Sequence, residues 1–114
     1  MIPYLNRFHR RNAVRYVYSK GEIFRSRYIT FKVIKNERID DSRVVVVISK
    51  KTLKSAVRRN RVRRRVYAIV SAELAKFNAK YDMALIVTSA EIQSLSHTEL
   101  YDLVKDLFSQ AHLY

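Results

Sequence analysis

Val44-Val-Val-Val-Ile-Ser-Lys-Lys-Thr-Leu-Lys-Ser-Ala-Val-Arg-Arg-Asn-Arg-Val-Arg-Arg-Arg65 changes character twice within 22 residues. Its first five residues are all β-branched and too few for a typical helix, so residues 43–49 read as a strand buried on both faces. From Lys54 to Arg65 seven of twelve residues are cationic. Beyond them Val62, Val66, Ile69, Val70 and Phe77 recur at i, i+4, i+7, i+8 and i+15, the single apolar stripe of a long helix over about residues 55–79. Arg58, Arg61 and Arg65 flank one side of that stripe. A strand running into a helix that starts on a block of arginine is the centre from which the rest of the chain is read.

Upstream, residues 12–20 predict a short helix with Asn12 as N-cap and Gly21, the only glycine, as the residue after its end. Val14, Val17 and Tyr18 share one face of it. Residues 23–34 are rich in aromatic and β-branched types. Ile29, Phe31 and Val33 alternate with Thr30 and Lys32, a period of two, and a turn near Arg25 divides the stretch into two strands. Residues 36–42 are polar, with the pair Asp40-Asp41, and read as a turn. Downstream, residues 82–88 form another buried strand. Ser96-His-Thr-Glu99 is a capping box, and Leu100, Leu103, Val104, Leu107 and Ala111 give the stripe of a last helix. The order α-β-β-β-α-β-α predicts a single α+β domain over residues 1–114, with helices packed on one sheet.

The chain has 114 residues, 48% of them hydrophobic, which suits one domain with a packed core. Its net charge of +13 is unevenly placed. Residues 1–67 carry 20 Lys or Arg against 4 Asp or Glu, and residues 68–114 carry 3 against 6. Excess on this scale points to a polyanionic partner. The absence of cysteine removes disulfides, thiolate metal sites and cysteine nucleophiles. One glycine and one proline leave no material for a Gly-rich phosphate loop. No apolar run reaches membrane-spanning length, and the first twenty residues do not read as a secretory signal, so a cytoplasmic protein is expected.

Catalysis by the protein's own side chains finds little support. His9, His97 and His112 stand at no metal-ligand spacing, and nothing in the sequence brings Glu73 and Asp82 together. Binding is better supported. Six arginines between Arg58 and Arg65 repel one another along about two helical turns, with no interleaved acid, and an anion would relieve that repulsion. Arginine favours bidentate phosphate contacts and stacking on bases. Asn60 offers both donors and an acceptor, and Lys50 and Lys51 extend the patch. Aromatic residues crowd the basic N-terminal third. Tyr18 and Phe31 are expected on a common surface, where unstacked bases of single-stranded RNA would lie.

The segments Arg43-Val-Val-Val-Val-Ile-Ser-Lys-Lys51 and Ala56-Val-Arg-Arg-Asn-Arg-Val-Arg-Arg64 resemble the signature of the bacterial ribonuclease P protein component. Asn6-Arg-Phe8, the short helix ending at Gly21 and the order of elements through Tyr114 fit the same family. The resemblance implies a four-stranded mixed sheet with three helices, similar to a ribosomal-protein domain, with a left-handed β-α-β crossover. It implies a subunit of a ribonucleoprotein endonuclease that removes the 5′ leader of precursor tRNA. In that enzyme the RNA subunit is the catalyst and mainly holds the Mg2+, and no obligate protein partner is expected. By the resemblance, Arg59, Asn60 and Arg61 open the RNA-facing helix, and the charge pattern adds Lys50, Lys51, Arg58, Arg63, Arg64 and Arg65 to the RNA-binding set. Val14, Tyr18, Ile29, Phe31 and Val47 would form the leader cleft between the first helix and the sheet. Four features depart from the family pattern. Val14 stands for an aromatic residue, and Val45 and Val47 for small ones. The loop Thr52 to Ser55 is one residue longer and has no glycine. Tyr67 replaces an arginine. The alternative reading is a stand-alone RNA-binding or ribosomal protein. A DNA-binding regulator with the basic helix in a major groove would require a dimer surface and helix-turn-helix spacing that the sequence does not show.

Overall fold

The computed structural model describes residues 11–38 and 41–114, and the side chains of these from Tyr16 onward. The elements are α1 (Arg11–Lys20), β1 (Glu22–Arg25), β2 (Ile29–Lys35), β3 (Arg43–Ile48), α2 (Ala56–Glu73), β4 (Tyr81–Val87) and α3 (His97–Gln110), with 3-10 turns at Leu74–Lys76 and Ala90–Ser94. The sheet runs β1-β2-β4-β3. β1 and β4 pair antiparallel with β2, and β3 pairs parallel with β4 through the crossover that contains α2. This is the expected α-β-β-β-α-β-α order with a mixed four-stranded sheet.

Strand alternation sorts the side chains onto two faces. Ile29, Phe31 and Val33 of β2, Val44, Val46 and Ile48 of β3, and Met83, Leu85 and Val87 of β4 enter one core. That core is closed by Val62, Val66, Ile69 and Val70 of α2 and by Leu100, Val104, Leu107 and Phe108 of α3. The opposite face carries α1: Val17 is fully buried against Ala84, with Tyr18, Ile34 and Val45 around them. The helices therefore lie on both faces of the one sheet.

Several boundaries differ from the sequence reading. β3 is an edge strand, and Val45 and Val47 on its second face are only half-buried, so it is not enclosed on both sides. Its outer edge is covered by α2. The Val46 N–H donates to the Tyr67 hydroxyl at 3.2 Å, and Arg63 Nε donates to the Val46 carbonyl at 3.5 Å. α2 stops at Glu73, short of residue 79, and Phe77 is extended. The Phe77 ring packs edge-on against Tyr81, Phe108 and Tyr114, so the apolar position that suggested more helix is held by aromatic contacts instead. Asn12 lies inside α1 and is not its N-cap. Gly21 ends α1, but its φ is not positive. A Cβ there would sit 2.6 Å from the Val17 carbonyl oxygen of α1 and 3.2 Å from that of Val33, so the tight exit from α1, with β2 close on its other side, is what requires glycine. The capping box of α3 is present, with Ser96 N–H donating to Glu99 Oε1 at 2.9 Å and Glu99 N–H to Ser96 Oγ at 3.1 Å.

Candidate nucleic-acid interface

α2 begins where β3 has turned through Lys50, Lys51 and Thr52. Ser55 is its N-cap, accepting the Arg58 N–H at 3.3 Å. No acidic residue stands in the first turn. Arginine at a helix N-terminus opposes both its neighbours and the positive end of the helix dipole, so the sequence places charge where it costs helix stability. None of the six arginines forms an ion pair among the described residues.

These arginines divide by what each side chain does. Arg59 folds back and donates from Nη1 to the carbonyls of Leu53 and Lys54, both at 2.8 Å, fastening the loop before the helix. Arg63 donates to Asn60 Oδ1 at 2.8 Å as well as to Val46, so it clasps α2 to β3 and occupies the acceptor of Asn60. Arg65 donates to the Leu95 carbonyl and ties α2 to the segment before α3. Arg58, Arg61 and Arg64 are exposed, as are Lys50, Lys51 and Asn60. Val57, 76% exposed, lies among them. On the flank toward the Ala90–Ser94 turn, a groove of about 380 Å³ is lined by Arg58, Arg61, Val62, Arg65, Gln93 and Ser94. Gln93 and Ser94 were not legible as site residues, because only the fold brings that turn beside α2.

The sheet face under α1 is the second surface. The register builds three cross-strand rows: Arg25, Thr30, Ile86 and Val47; Ile23, Lys32, Ala84 and Val45; and Ile34, Asp82 and Arg43. The third row is closed by a salt bridge. Arg43 Nε and Nη2 donate to the two oxygens of Asp82, each at 2.8 Å, and Asn36 donates to Asp82 Oδ2 at 2.8 Å. In the second row Lys32 Nζ donates to the Tyr18 carbonyl at 3.1 Å and stands 4.9 Å from the centre of the Tyr18 ring. Burial pushes the Tyr18 phenol pKa above its usual value. The first row has no fully buried member and is flanked by Arg25.

Tyr18 and Val47 thus share this face. Ile29 and Phe31 do not. Both are 0% exposed on the other side of the sheet, where the Phe31 ring meets Phe108 edge-on at 5.3 Å. Neither reaches a bound base, and the expectation that they line a cleft is corrected: their alternation identifies the core side of β2. Thr30 and Lys32, the residues between and after them, face α1. The side chain of Val14 lies outside the described residues, as do His9 and Asp40.

The sequence model of the family described as Ribonuclease P matches residues 2–112. The chain is 33% identical over 112 residues to the ribonuclease P protein component of a Pseudanabaena species, covering 97% of this chain and 95% of that one. It is also 33% identical over 112 residues to the component from Clostridium acetobutylicum, at 95% and 90% coverage. In fold it is similar to the RNase P protein of Staphylococcus aureus, with a TM-score of 0.85 at 18% identity over 96% of this chain and 97% of that one. The Thermotoga maritima protein gives a TM-score of 0.76 at 23% identity, covering 89% and 94%.

Proposed function

The chain belongs to the ribonuclease P protein family, the protein subunit of a ribonucleoprotein endoribonuclease, and from that membership we propose how its two surfaces divide the work. The arginine helix α2, with Lys50 and Lys51, holds the catalytic RNA. The sheet face beside α1 receives the 5′ leader of precursor tRNA. The observation that carries the reading is the set of exposed Arg58, Arg61 and Arg64 on a helix whose first turn has no acid. Among the described residues the guanidinium groups of these three donate to no carbonyl or carboxylate, which leaves all their donors for an anion.

On the leader side, Tyr18 offers one ring face to a base while Lys32 holds the other. A single-stranded leader lies across Arg25, Thr30, Ile86 and Val47, with its phosphates toward Arg25 and Lys32. Val47 narrows this surface relative to a small residue, and the aliphatic Ile86 and Val47 accept bases with little sequence preference.

The Mg2+ that assists cleavage belongs to the RNA in this reading. Among the described residues no three His, Asp or Glu side chains stand together, Asp82 is held by Arg43 and Asn36, and Glu73 by Tyr114 and Lys76. These residues do not fit a resident ion, and no step is assigned to one on the protein. The enzyme acts where tRNA precursors are, in the cytoplasm.

Reconstitution tests the assignment. The protein is mixed with a ribonuclease P RNA and precursor tRNA at low Mg2+, and stimulated 5′ cleavage is the expected result. RNA binding with unstimulated cleavage would select a stand-alone RNA-binding protein instead. Affinity for the catalytic RNA should also fall by about three to five decades between 50 and 200 mM salt if roughly six to ten phosphates are neutralised.

A further inference from the structure

We propose that the groove between α2 and the Ala90–Ser94 turn is a built phosphate site that holds one backbone phosphate of RNA, on the flank of the arginine surface and away from the sheet face. The inference rests on the RNA-binding reading above and adds Arg65, Gln93 and Ser94 to the Arg58 and Arg61 of that reading.

Four observations converge on it. Arg58, Arg61 and Arg65 stand at i, i+3 and i+7, so all three guanidinium groups emerge on one flank of α2. Opposite them are Gln93 and Ser94, an amide and a hydroxyl, both able to donate to a phosphate oxygen. The groove's volume of about 380 Å³ exceeds many times the roughly 30 Å³ share of one water, room for a phosphodiester with part of its hydration. Finally, the site is positive and partly ordered in advance. Arg65 is anchored on the Leu95 carbonyl, which lowers the entropy lost when an anion arrives. The acid closest in sequence to Gln93 and Ser94, Glu91, is engaged with Arg27 at 3.3 Å, and no arginine of the groove has an ion pair among the described residues. The opposite flank of α2 differs. There Arg63 donates to Asn60 Oδ1 and to the Val46 carbonyl, and the Tyr67 hydroxyl accepts the Val46 N–H, so that flank is turned toward β3.

The test reads the groove from its far wall, leaving the arginine helix intact. Gln93→Glu places a carboxylate opposite the three arginines. Its amide bond to the Ala90 carbonyl is at the surface, so folding should survive, which circular dichroism checks. Full-length protein is titrated against ribonuclease P RNA at several salt concentrations, and the assembled holoenzyme against precursor and mature tRNA. Gln93→Glu should weaken one of these interactions about tenfold and reduce the slope of log affinity against log salt by about one, the signature of one lost phosphate. Gln93→Lys should bind at least as tightly as wild type, which separates charge from shape. A loss confined to the catalytic RNA assigns the phosphate to that RNA, and a loss confined to both tRNA ligands assigns it to the substrate body. Wild-type affinity and slope for Gln93→Glu, with Arg64→Ala still weakened, would overturn the groove and leave the RNA-binding reading standing. If neither wild type nor variants show salt-dependent RNA binding, both fall together.

Discussion

The two faces of the sheet are built from alternate residues of the same strands, yet they obey different rules. On the α2–α3 side the buried strand positions are all apolar, with only Glu22 and Lys35 of that register exposed at the ends of their strands, and Ile29, Phe31, Val44, Met83 and Leu85 have no exposed surface. On the α1 side, charge and apolar surface are mixed: Arg43 with Asp82, Lys32 with Tyr18, and Thr30 between Arg25 and Ile86. The first face gains its stability by excluding water. The second keeps polar groups that are satisfied at the edges and leaves a row half open. One strand, β2, thus serves folding with its odd residues and lends its even ones to the proposed leader surface, and a shift of one residue in register would exchange the two faces.

The largest expected effect breaks the comparison at β2. Phe31→Ala should destabilise the protein by about 3–5 kcal/mol, the cost of a large buried aromatic, measured by urea unfolding. Thr30→Ala, its neighbour on the other face, should leave the unfolding midpoint within experimental scatter. Equal effects would mean that the faces are not distinct. Next comes Tyr18→Ala in the assembled enzyme, which should weaken precursor tRNA by about 1–3 kcal/mol, toward the lower end because Lys32 already occupies one side of the ring. Mature tRNA, which has no leader, should bind unchanged; an equal loss for both would make Tyr18 a packing residue. Smaller still, Tyr67→Phe at the edge where the two faces meet removes the acceptor of the Val46 N–H. It should cost about 1 kcal/mol in stability without altering RNA affinity.

The dry face has one charged guest, and it sharpens the comparison by pH. Glu73 is fully buried, accepts from the Tyr114 hydroxyl at 2.9 Å and has Lys76 Nζ 2.7 Å from Oε2. Burial disfavours its ionisation, but the bonds from Lys76 and Tyr114 prevail and hold its pKa below the usual carboxylate range. A carboxyl whose pKa is lowered by folding stabilises the folded state above its unfolded pKa, about 4.3, and loses that contribution as pH falls through the folded value. The melting temperature of wild type should therefore exceed that of Glu73→Gln at pH 6, and the gap should close as the pH is taken below about 4. A gap that stays constant would show that the carboxylate contributes only through shape.

Local signals carried most of the architecture. The Ser96–Glu99 capping box, the Leu100–Leu107 stripe and the alternation in β2 each depend on residues a few positions apart, and each element formed. What alternation left open was the direction of the alternating set. Phe31 belongs to the core because Phe108, 77 positions later, closes over it, and no local pattern encodes that partner. The same limit explains α2. The apolar spacing that includes Phe77 suggests more helix, whereas contacts with Tyr81, Phe108 and Tyr114 draw Phe77 out of it. Among the arginines, charge density was legible and division of labour was not. Arg59 and Arg63 carry the same charge as Arg61, but the loop before α2 and the edge of β3 give them carbonyls to hold.

The covered edge of β3 has a consequence beyond the folded monomer. Val44-Val-Val-Val-Ile48 is an uncharged, β-branched segment without proline or glycine, the composition that stacks into intermolecular sheets when its backbone is free. In the native protein that backbone meets Tyr67 and Arg63, and any second strand approaching the edge also meets a wall of positive charge. The helix proposed to hold RNA therefore also acts as a gatekeeper against self-association. Variants that unwind its first turns should be recovered as precipitate rather than as soluble, inactive protein, and loss of solubility in an arginine-helix screen would then record an opened edge as well as a lost RNA contact.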